Sequence, residues 1–130
     1  MHIFINSYIL LLVITMNEDV VFIKNGEEKS KTIKPGKLYR LMIKTQKMEA
    51  IIAELDPHAV SKIFQHDGEE IHLVLEGEME YTVGEKTYKL AEGDFLWHKS
   101  MLVHHARNIG TKKVVYITVA TPPSFMTSMV

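Results

Sequence analysis

Residues 74–94 read VLEGEMEYTVGEKTYKLAEGD. Inside this stretch Met79, Tyr81 and Val83 alternate with Glu80 and Thr82, the period of a strand with one buried face. The connections Glu76-Gly77, Gly84-Glu85 and Ala91-Glu92-Gly93-Asp94 are short and carry Gly where a positive φ costs little. The stretch therefore predicts strands at 78–83 and 86–90 joined by tight turns. Working outward, the same pattern predicts strands at 70–76 and 94–98, then at 104–108 and 113–120. Upstream it predicts strands at 19–24, 37–43 and 48–55, with Pro35-Gly36 and Asp56-Pro57-His58 as turns. The polar clusters EEKSK (27–31) and EGEME (76–80) read as solvated faces or turns. No 3.6-residue period is sustained anywhere, so the chain reads as all-β, a sandwich or barrel.

The chain has 130 residues, enough for one domain with its own core. Fifteen Lys plus Arg against sixteen Asp plus Glu leave a formal charge of -1. This balance offers no concentrated basic face for a polyanion, and no nucleic-acid partner is expected. Cys is absent, which removes disulfides, thiolate catalysis and Cys-ligated zinc, and fits a cytoplasmic protein. The first fifteen residues, MHIFINSYILLLVIT, are apolar but short of the roughly 20 residues of a membrane span. They also lack the basic start and small-residue cleavage site of a secretory signal. They read as an added strand or an over-extended start, with the domain running over 16–130 and no membrane partner expected.

On an extended chain alternate residues share a face. Phe64, His66, Glu70, His72 and Val74 would then point one way if Asp67-Gly68 keeps the register. A second group lies in GDFLWHKSMLVHHARN (93–108), where His104, Ala106 and Asn108 alternate and His105 faces away. These stretches resemble the cupin superfamily, small jelly-roll barrels with two metal-site motifs. The first motif ends in His-x-His, three or four residues, Glu, six residues, Gly. Here His66, Glu70 and Gly77 match, and Phe64 stands where the first His belongs. The second runs Gly, five residues, Pro-x-Gly, two residues, His, three residues, Asn. Gly93, His104 and Asn108 match, whereas Lys99 and Met101 replace Pro and Gly. The resemblance covers roughly 48–125. ARNIG (106–110) also looks like cupin turn text, and HDGEE (66–70) and TPPSF (121–125) are similar to the sensor domains of helix-turn-helix regulators, although no helix-turn-helix pattern precedes it here.

The resemblance implies a jelly-roll barrel with His66, Glu70 and His104 as metal ligands. Such a set suits a divalent transition metal, with Fe, Mn, Ni, Zn and Cu not distinguished. An unoccupied reading stands beside it, because a buried His and a carboxylate also satisfy each other by hydrogen bonding. His72, Phe64 and His98 are the candidates to line a ligand-binding mouth: His72 as a replacement imidazole, Phe64 as an apolar plug, and His98 as a barrel-rim residue. His58 reads as a turn residue, and Asn108 as a backbone tie. Phe95, Trp97, Tyr81 and Tyr88 read as packing, and Met42, Met48, Met79 and Met101 as adaptable filler. No phosphate loop, HExxH or GxSxG elbow is present. Three functions remain open: a sensor-like module for a small molecule, a metal-dependent isomerase, decarboxylase or dioxygenase, and a degenerate barrel that serves as a partner protein. The resemblance also implies a homodimer.

Overall fold

The computed structural model describes residues 19–123. The apolar leader, with its His2, and the end of TPPSF from Ser124 lie outside the described residues. Nine strands follow in chain order: β1 (Ser30–Lys34), β2 (Lys37–Lys44), β3 (Glu49–Leu55), β4 (Glu69–Glu76), β5 (Glu78–Val83), β6 (Lys86–Ala91), β7 (Phe95–Lys99), β8 (His104–Arg107) and β9 (Val114–Thr121). Six of them form one antiparallel sheet, ordered β1-β2-β3-β9-β4-β7, and three form a second, β6-β5-β8. Among the described residues no helix is long and apolar enough to cross a membrane.

The alternation read from the sequence at 78–83 is observed there, and β3 and β9 show it as well. In β3 the residues Glu49, Ile51, Ala53 and Leu55 are buried and their neighbours are not; in β9 the buried set is Val114, Tyr116, Thr118 and Ala120. In β5 it is Met79, Tyr81 and Val83. These faces meet between the sheets in one core that includes Tyr39, Leu55, Met79, Tyr81 and Tyr116. Each fully buried aliphatic side chain contributes about 2 kcal/mol by leaving water. β9 is inserted between β3 and β4, so the two halves of the chain share one sheet. The link from β3 to β4 runs along β8: Ser61 N donates to Ala106 O, and Phe64 and His104 exchange both backbone hydrogen bonds. That run carries residues of the first motif alongside those of the second.

Several expectations need correction. Residues 19–24 form no strand, and Val20 and Phe22 are exposed; the edge strand is β1, which begins inside the EEKSK cluster expected to be a turn. Phe95, Trp97 and Tyr88 do not pack inside but are exposed, as are Met48 and Met101. Tyr81 and Met79 are core residues as expected.

His58 adopts φ 71°, which confirms the turn position where Gly would be usual. Asn108 is fully buried and ties the end of β3 to the loop before β9. Its Nδ2 donates to Leu55 O at 2.9 Å and to Lys112 O at 2.8 Å, and its Oδ1 accepts from Gly110 N at 2.8 Å. Asn108→Ala would strand these groups without water, and is expected to cost about 2 kcal/mol. Urea unfolding of the variant should show the loss as a lower midpoint with an unchanged slope.

Candidate metal centre

Strand register places the polar residues. Glu49, Ala120, Glu70 and His98 form one row across β3, β9, β4 and β7. The next inward row holds Ile51, Thr118, His72 and Leu96. Neighbouring strands lie about 4.8 Å apart, so residues in one row reach each other directly. Glu70, His72, His98 and His104 are all buried, and His66 is partly buried.

The Glu70 carboxylate is the centre of the cluster. His66 Nε2 lies 2.9 Å and His104 Nε2 2.7 Å from the same oxygen, Oε2, which also accepts the Ser100 hydroxyl at 2.9 Å. Burial acts to raise the Glu70 carboxyl, but the contacts with His104 and His66 outweigh it and hold it well below the usual carboxylate range. It is therefore an anion. The second oxygen, Oε1, faces His72 Nε2 at 3.8 Å.

The far side of each ring fixes its protons. His66 Nδ1 meets Asp67 O at 3.0 Å, His104 Nδ1 meets Leu102 O at 2.7 Å, and His98 Nδ1 meets Lys99 O at 3.0 Å. A carbonyl only accepts, so each Nδ1 carries the proton and each neutral ring keeps its lone pair on Nε2. A bare Nε2 beside an anionic oxygen repels it. At His66 the contact with Glu70 raises the ring's pKa against the opposing effect of burial, which favours a proton there. The buried His104 Nε2 lies close to Oε2 yet out of alignment for a hydrogen bond.

Donor atoms of His66, Glu70 and His104 lie within 4.8 Å of one another, with outward nitrogens held by backbone carbonyls. Both features fit a divalent cation: two imidazoles and a carboxylate around a shared point, with the rings oriented from behind. Such an ion would take the place of the proton between ring and carboxylate.

The other expected residues are placed as follows. Phe64 is buried and its ring stacks on His104, with centroids 5.8 Å apart. His72 is fully buried; burial lowers its pKa to about 3, and its Nδ1 meets Thr118 Oγ1 at 2.8 Å. His98 is not a rim residue: only 4% of it is exposed, and its Nε2 is 2.9 Å from His72 Nε2. His105 turns out of this cluster and pairs with Thr82 on β5. Beside the cluster, Leu96, His98, Leu102, Val83 and Tyr88 line a groove of about 510 Å³. Sequence reasoning missed Ser100, Thr118 and Glu49. The signal for the last two was a polar residue on the apolar side of an alternating strand.

With the barrel and its His/Glu cluster defined, comparison with known proteins assigns the class. The family profile of the cupin domain matches residues 51–120, and the chain belongs to that family. A 62-residue stretch, 48% of this chain, is 37% identical to an uncharacterized protein of Archaeoglobus fulgidus, and the match spans 58% of that relative's length. KdgF from a Halomonas species is similar in structure, with a TM-score of 0.70 and 21% identity over 82% of this chain and 98% of the other. The cupin domain of an XRE family transcriptional regulator from Enterobacter cloacae is also similar, at a TM-score of 0.62 and 18% identity over 65% of this chain and 95% of that one. At these identities the structural likenesses show the fold alone.

Proposed function

We propose that this cupin barrel holds one divalent transition metal on His66, Glu70 and His104 and binds a small anionic molecule beside it, as a sensor-like binding module. The observation that supports this most is the meeting of His66 Nε2 and His104 Nε2 at one oxygen of Glu70, with both rings locked from behind by backbone carbonyls. Bound there, a divalent ion would supply Lewis acidity and open positions for oxygen donors. Two neutral imidazoles and one carboxylate leave such an ion with a net positive charge, which favours an anionic oxygen ligand. The chain's own residues do the rest. Ser100 steadies the carboxylate through its hydroxyl. Phe64 keeps water from one vertex, and the groove lined by Leu96, His98 and Leu102 gives the apolar part of a ligand a place. The likeness of HDGEE and TPPSF to the sensor domains supports binding in place of turnover.

Titrating the metal-free protein with Mn, Fe, Ni, Zn and Cu ions by calorimetry tests this. One equivalent is expected in the wild type and in His105→Ala, whose ring points elsewhere, and none at comparable strength in His104→Ala. Small carboxylic acids should then raise the melting temperature of the metal-loaded protein more than that of the metal-free form. A wild type that takes up no ion would sink the reading.

A further inference from the structure

Only two imidazoles have been assigned to the centre, and Phe64, stacked on His104, stands where the family motif has a third. A third imidazole does stand at the carboxylate, from a different strand. His98 on β7 is the direct cross-strand partner of Glu70 on β4. Its ring centroid is 4.5 Å from that of His104. Donor atoms of His98, His72 and Glu70 fall within 4.8 Å of one another, so the two donor sets share one carboxylate. His98 also has the same lock as the other ligands: Nδ1 donates to Lys99 O, which leaves its lone pair on Nε2 and directed inward.

In the metal-free protein that lone pair is already engaged. Because His98 Nε2 is bare, the 2.9 Å contact with His72 Nε2 requires His72 to donate there, and Thr118 then donates its hydroxyl hydrogen to His72 Nδ1. His72 Nε2 has a second acceptor within reach, since Glu70 Oε1 lies 3.8 Å away. A small turn of the His72 ring would move its N–H from His98 to Glu70. That exchange frees one ligand and steadies another, and leaves no buried donor stranded.

We infer that His98 is the third imidazole ligand of the centre, replacing from β7 the histidine that Phe64 displaces, and that His72 is a positioning residue whose N–H passes from His98 to Glu70 Oε1 when the ion binds. This rests on the metal reading above. The cluster geometry favours it over a second ion at His72 and His98, because both positions would draw on the single Glu70 carboxylate for charge.

Cu(II) added to the full chain gives a direct count, because electron-spin-echo spectroscopy detects the remote nitrogen of each coordinated imidazole. Three imidazoles are expected in the wild type, two in His98→Gln, and three in His72→Gln. The wild-type count needs no variant to fold, and only protein that holds copper contributes to the others. Two imidazoles in both the wild type and His98→Gln would overturn the assignment while leaving the metal site standing. So would a count that falls in His72→Gln instead, or two copper ions per chain. Failure of the wild type to bind copper, or any other divalent ion, would overturn the metal reading and this one with it.

Discussion

In Glu70→Gln protein, divalent-metal affinity is expected to fall by roughly 100-fold or more, about 2.7 kcal/mol, while the barrel stays folded. Glu70 is the only anion in either donor set, and it is buried. The attraction between a dication and a carboxylate oxygen at a bonding distance exceeds that loss several-fold even at an effective dielectric constant of about 20. Gln has the same shape without the charge. Its carbonyl oxygen can still accept the Ser100 hydroxyl that Glu70 accepts at 2.9 Å. With its carbonyl at the Oε2 position, the oxygen that faces His66 and His104 carries no full charge, and the amide nitrogen takes the Oε1 position on the His72 side. The metal-free variant is therefore expected to melt no lower than the metal-free wild type. Competitive titration against a chelator measures the affinity, and thermal unfolding without metal measures the fold. An unchanged dissociation constant would mean that the ion, if bound, sits elsewhere.

What the sequence disclosed follows from parity. Strands β4, β5 and β9 bury every second residue, so their apolar alternation was legible, and with it the even-numbered face that carries His66, Glu70 and His72. The pairing of that face with His104 came from the family motif, since nothing local in the chain says that β8 lies against residues 58–64. Where parity was not followed, the reading failed. Leu96 and His98 face inward from β7, which puts Phe95 and Trp97 outside, and Trp97 settles there by donating Nε1–H to Glu69 Oε1 at 2.8 Å. Reading those aromatics as packing and His98 as rim followed residue type over position. The first strand was illegible for another reason. SKTIK is mostly polar and buries little, and it is held by its backbone ladder to β2. Residues 19–24 look more strand-like, yet Val20 and Phe22 find no partner face among the described residues. An edge strand gains from hydrogen bonds, which side-chain patterns do not record.

A single methyl group at Gly68 is expected to do more damage than most core truncations, about 4 kcal/mol, and to disrupt the centre with the fold. Gly68 has φ +103°, a conformation that side chains rarely adopt. A Cβ there would come within 2.0 Å of Thr121 O and 2.5 Å of Pro122 Cδ, so backbone would have to move. The moving parts are those that build the site. Gly68 O accepts from Ser100 N at 2.8 Å, and the next residue, Glu69, pairs with both Lys99 and Thr121. Shifting this junction separates β4 from β7 and β9 where Glu70, His98 and Ser100 meet. Gly93→Ala isolates the contribution of φ alone, because Gly93 has φ +86° and nothing within 4 Å of an added Cβ. It should cost only about 1 kcal/mol and leave metal binding intact. Urea unfolding of the two variants, paired with metal titration, separates the two causes. If Gly68→Ala loses no more stability than Gly93→Ala and still binds the ion, the close approach of Thr121 to Gly68 does not constrain the barrel, and the junction of β4 with β9 is softer than its geometry indicates.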